Sequence, residues 1–425
     1  MKGFKETNRH FSFCKFILAV IAVTYLTLSA QTQSTAIWKR HAIDNSLKGA
    51  DGVRFEDANG DGLQDIVTGW EQSGLVRIYF NPGKTQVKSK WNYVTVGLAP
   101  NVEDAVLVDL DGDGSKDVIS SCEGNTMRVN VHWAPAPGKN YSDSTLWKTE
   151  IFPVTEGKFQ WMFAVPQQID GVNGVDLILG GKKDSDKFPQ PYIGWLKAPK
   201  NPRKLSEWQW IPLAKVSWVM SILIADINGD KQPDIFYSDR KQIPQGVKWL
   251  ENPGKPAING KWKNHIVGDS THIVKFMDLN DLDSDGKEDA VVVTEDDQIH
   301  FYKKLDNKGL HWEKHVIDYP DNVGGGKAVT VADVDQDGKK DLVISCEGAK
   351  GGKSGVYYLR YVNSVFDKKW QRNEISGPEG IKYDLIPAFD FDQDGDLDFV
   401  STEENNNSAG GFGGLGIIWY ENPLK

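Results

Sequence analysis

A nine-residue pattern, D-x-[DN]-x-D-G-x-x-D, returns along almost the whole chain. It reads Asp57-Asn59-Asp61-Gly62-Asp65, then Asp109-Asp111-Asp113-Gly114-Asp117. It comes back as Asp226-Asn228-Asp230-Asp234, with Lys231 in the glycine position, and as Asp281-Asp283-Asp285-Gly286-Asp289. Asp333-Asp335-Asp337-Gly338-Asp341 and Asp390-Asp392-Asp394-Gly395-Asp398 complete the full-length set. A version two residues shorter, running from Asp170 through Asn173 to Asp176, fills the one gap. Successive loops start 52, 61, 56, 55, 52 and 57 residues apart. Self-similarity at a fixed period is the sequence mark of a repeat architecture.

Two further markers keep the same phase. A tryptophan opens each unit at Trp38, Trp91, Trp147, Trp208, Trp262, Trp312 and Trp370, and an aromatic-rich run such as Val247 to Pro253 follows the loop. Each unit holds four short β runs bounded by turn residues, and no segment has a useful helical period. The first run precedes the loop, as in Ala105 to Val108. The second follows it, as in Val118 to Ser121, the third is the aromatic run, and the fourth begins at the tryptophan. The expected fold is all-β: a seven-bladed β-propeller of four-stranded blades over residues 36–425. The chain enters on a lone fourth run, Trp38 to Ile43, and leaves after a third, Trp419 to Asn422. A ring in which the N-terminal strand completes the last blade resolves both defects and leaves no open sheet edge.

Composition narrows the function classes. The 425 residues are 39% hydrophobic and 25% charged, which excludes disorder, and the net charge of −10 argues against a nucleic-acid partner. Three cysteines exclude a disulfide scaffold. Lys2, Lys5, Arg9 and Lys15 precede a 13-residue apolar run, Phe16 to Leu28, and small residues at Ser29 and Ala30. That order predicts a cleaved export signal over residues 1–30 and a secreted or periplasmic protein. The apolar run is shorter than the roughly 20 residues a spanning helix needs, so no membrane span is expected in the mature chain. A monomer is expected.

With these residues in hand, the repeat resembles the FG-GAP/VCBS class, the calcium-loop propeller repeat of integrin α-subunit heads, and is closer to its bacterial secreted members. The resemblance implies adhesins, lectin-like propellers, polysaccharide lyases or glycosidases, and fixes no single activity. The loop chemistry points the same way. Carboxylates at positions 1, 3, 5 and 9 and a carbonyl at 7 supply the hard oxygen ligands that Ca²⁺ takes. Glycine at 6 permits the sharp turn. Up to six structural Ca²⁺ ions are expected, on the side chains named above, with none in the shortened third loop. Export would leave a mature net charge of −13, which six such ions bring close to zero.

The ligand face is expected opposite those loops. Six residues past each final loop aspartate stand Glu71, Glu123, Lys182, Arg240, Glu295, Glu347 and Glu404. The turns leading into the first strands add Asp51, Glu103, Asp104, Trp161, His272, Lys275, Lys327, Lys382, Tyr383 and Asp384. The expected ligand-binding set is Asp51, Glu71, Asp104, Glu123, Lys182, Arg240, Lys275, Glu295, Lys327, Glu347, Asp384 and Glu404. Catalysis, if the protein is an enzyme, has His272, Tyr383, Glu71, Glu123 and Glu347 as candidates. Trp70, Trp161 and Trp218 could stack on sugars but suit the core better. His41, His265 and His315 recur at one register and read as structural, as do His132 and His300. Cys122 and Cys346 stand in blades nearly opposite each other and are expected to be free, semi-buried thiols. Gly324 to Lys327 lacks the strand–loop–helix context of a phosphate loop. The stretch from Asn405 to Gly416 reads as a polar, mobile loop. The expected partner is a carbohydrate, bound or cleaved in the funnel, or an extracellular protein.

Overall fold

Apolar and β-branched residues follow every loop, as in Asp65–Trp70 and Asp289–Thr294, and each such run is a strand buried along its whole length. A strand hidden on both faces needs a neighbour on each side, and the flanking runs supply them. The computed structural model describes residues 36–241, 245–404 and 414–425. These residues form seven antiparallel four-stranded sheets, and six of them take their strands in chain order. They span 50–98, 102–151, 160–215, 219–268, 274–318 and 325–374, here blades one to six. Blade seven joins Ala388–Phe389, Asp398–Glu403 and Gly416–Glu421 to the N-terminal strand Lys39–Asp44. Lys39 pairs with Glu421 and His41 with Trp419. The ring therefore closes as the repeat phase predicts.

Three side-chain devices explain the repeating residues. The indole N–H groups of Trp91, Trp147, Trp208, Trp262, Trp312 and Trp370 each donate to a backbone carbonyl three to six residues upstream. The tryptophan thus packs its rings in the core and fastens the turn into the outer strand. Secondly, the aspartate at loop position 9 accepts the backbone N–H seven residues before it in all seven blades. In six blades its other oxygen accepts the N–H at the end of the third strand, for example Asn81, Ala134 and Ala198. Thirdly, Asn252 turns the chain: its amide reaches the Pro233 carbonyl and its oxygen takes the Gly254 N–H. Asn81 repeats both bonds with Gln64 and Gly83.

The innermost strands carry the feature that builds the site. In blades one to six the pairing of innermost with second strand slips near its start. The extra residues are Glu103, Met162, Met220 and Lys327, with Gly52–Val53 in blade one and Lys275–Phe276 in blade five. A bulge re-aims the side chain it adds. Phe163 and Phe276, on the innermost strands of blades three and five, meet edge to face at 5.9 Å and belong to one buried cluster with Met162 and Met220.

The side chains place the remaining candidates, some where the sequence reading puts them and some elsewhere. Trp70 and Trp161 are fully buried, with indoles bonded to Tyr79 Oη and the Thr155 carbonyl, and offer no stacking face. Tyr383 is also fully buried; its hydroxyl donates to the Glu379 carbonyl at 2.6 Å and meets Tyr420 Oη at 2.9 Å. Its residue number lies in the funnel turn, but its ring turns back into the core. Cys122 and Cys346 are free as expected, but wholly buried rather than half so, because each lies on a second strand. His41 and His265 stack on Trp419 and Trp249 at 4.4 and 4.1 Å, and each bonds a glutamate, Glu421 or Glu251. His132 bridges Ser120 and Thr149, and His300 bridges Asp269 and Gln298. His315 lies 5.5 Å from the Phe301 ring. The expected export signal and most of the loop expected after Asn405 lie outside the described residues.

Candidate functional site: an aspartate-loop end and a charged end

Innermost and second strands run antiparallel, so each blade has two ends. The hairpin between them carries the aspartate loop. Four loops bring oxygens of three carboxylates within 4.8 Å of one another: Asp109/Asp111/Asp113, Asp281/Asp283/Asp285, Asp333/Asp335/Asp341 and Asp390/Asp392/Asp398. These clusters could hold a metal ion, and the all-oxygen donor set suits a hard cation. In loops one and four the asparagine at position 3 donates to the aspartate at position 5, Asn59 to Asp61 and Asn228 to Asp230. Blade seven fits a cation best. Among the described residues, Asp392 Oδ1 and both oxygens of Asp396 are buried without a hydrogen-bond partner. Asp396 is a fifth loop acid, at position 7, where the sequence reading expected only a carbonyl.

Tethered cations meet several loops. Lys197, Lys303 and Arg360 occupy the same third-strand register in blades three, five and six, one residue past Leu196, Tyr302 and Leu359. Lys197 reaches Asp170 at 2.6 Å, Lys303 reaches Asp283 and Asp285, and Arg360 reaches Asp335. Asp170 thus holds position 3, with Gln168 at position 1 accepting the Gly171 N–H, so the third loop is full length and not two residues short as expected; it lacks carboxylates at positions 1 and 5. Elsewhere Arg203 reaches Asp111, and Lys88 reaches Asp392 at 2.8 Å.

The opposite end gathers the charged residues. Lys182 of blade three pairs with Glu123 and, at 3.6 Å, with Glu103 of blade two. Arg240 pairs with Glu295 at 3.2 Å, and Lys275 with Glu347 at 2.6 Å. Lys327 lies 3.8 Å from Glu347 and 3.9 Å from Asp384, and Lys382 pairs with Glu404. Gln72 links Glu404 back to blade one at 3.3 Å, and Arg54 holds Asp104 with both Nε and Nη2. The bulges place Glu103, Lys275 and Lys327 in this set. The sequence reading missed Arg54, whose number lies beyond the bulge; it reaches across to within 5.6 Å of the Phe163 ring. His272 stands apart, bonded to Asp296 at 3.2 Å, with its ring edge-on to His300.

Electrostatics sort these acids. Burial pushes Asp51 well above the usual carboxylate range, and the charge of Asp384 beside it pushes the same way. Asp384 is also raised by burial, but Lys327, a hydrogen bond from Asp51 and Lys382 outweigh that and hold it low. The pair therefore shares one proton. Burial lifts Asp104 to about 6 against the pull of Arg54. Glu71 is raised by burial, by Glu103 and by Glu404. In Glu347 burial is overcome by Lys327 and Lys275, which bring the group down to about 2. Such an arrangement can orient a polar ligand by charge-assisted hydrogen bonds.

Comparison with known proteins now has a geometry to refer to. Residues 57–120 and 281–344, the loop regions of blades one to two and five to six, match the FG-GAP-like repeat family. The chain is a seven-bladed propeller that carries FG-GAP-like repeats. No curated protein matches its sequence. Among solved structures this propeller is similar to an Agrocybe aegerita lectin described for specific recognition of non-reducing terminal N-acetylglucosamine. That likeness is 14% identical over 78% of this chain and 81% of the lectin, with a TM-score of 0.43. It is also similar to BBS1N, solved in complex with ARL6DN, at 11% identity over 91% of this chain and 98% of that one, TM-score 0.47. Among the described residues, no helix is long and apolar enough to cross a membrane.

Proposed function

We propose that this propeller is an exported, calcium-stabilised module that binds a carbohydrate at its charged end. The observation that carries the reading is the run of paired acids and bases at that end, drawn from all seven blades and interrupted between blades three and four. Hydroxyl-rich ligands are recognised by fixed, charged acceptors and donors of this kind. The ions belong at the other end, where blade seven has buried carboxylate oxygens without partners, and their task is to tie down the hairpins. Ligand and ions are thus served by opposite ends of the same strands.

A second reading, a polysaccharide lyase or glycosidase, is favoured by the Asp51–Asp384 pair. One carboxylic acid beside one carboxylate is the equipment of general acid–base chemistry. A glycan array read for both binding and product release, with Ca²⁺ present, separates the two. Binding without products supports the binding module. Reducing-end or unsaturated products that vanish in Asp384→Asn support the enzyme. Silence on neutral and acidic glycans alike refutes the carbohydrate reading and turns attention to a protein partner.

A further inference from the structure

Around the charged end, cation and carboxylate alternate across most blade boundaries, but at the boundary of blades three and four cations meet. Lys182 of blade three and Arg240 and Lys241 of blade four all stand over the ring of Trp218, at 4.6, 4.7 and 4.7 Å from its centroid. Lys182 and Arg240 each have a glutamate, Glu123 and Glu295, on the side away from this boundary in the order of the ring. Lys241 forms no ion pair among the described residues. An indole face attracts cations through its quadrupole but carries no net charge, so three positive charges share one half-buried ring, and of the three Lys241 has no anion of its own among the described residues.

Two donors at the same spot lack acceptors. Trp218 Nε1 and Arg240 Nε are both buried, and among the described residues neither has a hydrogen-bond partner. A buried N–H without an acceptor carries a desolvation cost, and these two belong to residues already in contact, the Arg240 guanidinium lying over the Trp218 ring. The backbone here is fixed for the purpose. Asp239, 2% exposed, accepts the N–H groups of Ser217 and Trp218 and the Ser217 hydroxyl, and is itself paired with Lys248 at 3.0 Å. The Lys182–Trp218 bridge ties blade three to blade four at this point, and the bond from Arg240 N to the Trp218 carbonyl continues the blade-four ladder past Val219 and Asp239. The site is therefore held by the buried Asp239–Lys248 pair.

We infer that the blade three–four boundary is an anion subsite, in which Trp218 Nε1–H, Arg240 Nε–H and the Lys182 and Lys241 ammonium groups receive a carboxylate borne by an acidic saccharide. This rests on the carbohydrate reading and narrows it to uronate-containing chains. A planar carboxylate can take a guanidinium N–H and an indole N–H together. The acidic side of the ring, where Asp51 and Asp384 share a proton and Glu71 stands near Glu103, repels a second carboxylate and suits the hydroxyls of an adjoining residue.

Titration with hexagalacturonate and with its methyl ester tests this, followed by calorimetry and by ¹⁵N spectra of the tryptophan indoles of the intact protein. Trp218→Phe identifies the Trp218 resonance. The expected result is a Trp218 indole shift with the acid only, at least tenfold tighter binding of acid than ester, and loss of that preference in Arg240→Gln/Lys241→Gln. Circular dichroism checks that the double variant keeps its fold. Equal binding of acid and ester overturns the subsite and leaves carbohydrate binding standing. So does acid binding with an unmoved Trp218 resonance. If neither hexamer binds, the subsite is refuted, and a wider glycan array then decides the carbohydrate reading separately.

Discussion

The position-9 aspartate can be tested apart from the full ligand set, because blade three has kept it in a nine-residue loop whose positions 1 and 5 are Gln168 and Val172. Asp176 Oδ2 accepts the Ile169 N–H at 3.0 Å and Oδ1 the Ala198 N–H at 2.8 Å, and the residue is wholly buried. Asp176→Ala leaves two buried N–H groups without acceptors, about 1–3 kcal/mol each. Part of that is offset, because burial raises the Asp176 carboxyl and the charged form is itself costly there. A net loss of about 3 kcal/mol is expected. With an unfolding entropy of about 2.1 cal/mol/K per residue over about 390 residues, this amounts to a fall in Tm of about 4 °C. Differential scanning calorimetry in Ca²⁺ and in EGTA is the assay, and the loss should be the same in both. A variant within 1 °C of wild type refutes the clamp. A loss that appears only in Ca²⁺ would instead make the third loop a metal site.

Other expectations follow from the same geometry. Chelation should lower Tm substantially by mass action, and Asp392→Asn/Asp396→Asn should release one ion per chain by elemental analysis; unchanged stoichiometry removes blade seven from the metal sites. Lys303→Met should tighten metal binding in blade five, since the ammonium no longer competes for Asp283 and Asp285; a calorimetric isotherm identical to wild type contradicts this. Burial brings His132 down to about 3, with the charge of Arg128 adding to it. A depressed histidine stabilises the fold above its unfolded value of about 6.5 and loses that contribution as pH falls towards 3, by about 3 kcal/mol at pH 4. His132→Asn should therefore lose less stability than wild type between pH 7 and 4, and parallel pH profiles would refute the assignment. Burial also raises the thiols of Cys122 and Cys346, to about 11 and about 12. Both should ignore a thiol reagent until the protein unfolds, and prompt labelling of native protein would show the burial to be wrong.

The ring was legible because its spacing is a consequence of hairpin register. Counting six residues from the last loop aspartate runs the length of one second strand and arrives at the far end in every blade. Side-chain direction was not legible in that way. Tyr383 and Asp384 are neighbours in sequence, yet one ring turns into the core and the other carboxylate into the charged end, because successive residues of extended chain face opposite sides. Arg54 escaped notice because two bulge residues, Gly52 and Val53, intervene before it. The position-9 aspartates read as ligands alone because a carboxylate that braces backbone N–H groups and one that binds an ion look identical in a motif. Trp218 differs from Trp70 and Trp161 only in what surrounds it, and three cations from two blades are invisible to a linear reading.

Blade seven gives the chain a particular order of assembly. His41 must find Glu421, 380 residues away, while the first six sheets each gather their strands within about 50 residues. Loop-closure entropy grows only logarithmically, so this longest junction costs roughly 2 kcal/mol more than a blade-sized one. The penalty lies in time. Until the C-terminal strand is synthesised, Lys39–Asp44 has no partner, and six blades wait as an open arc with two unpaired flanks. A chaperone or a crowded compartment therefore acts on this protein mainly in the interval before the final strand arrives.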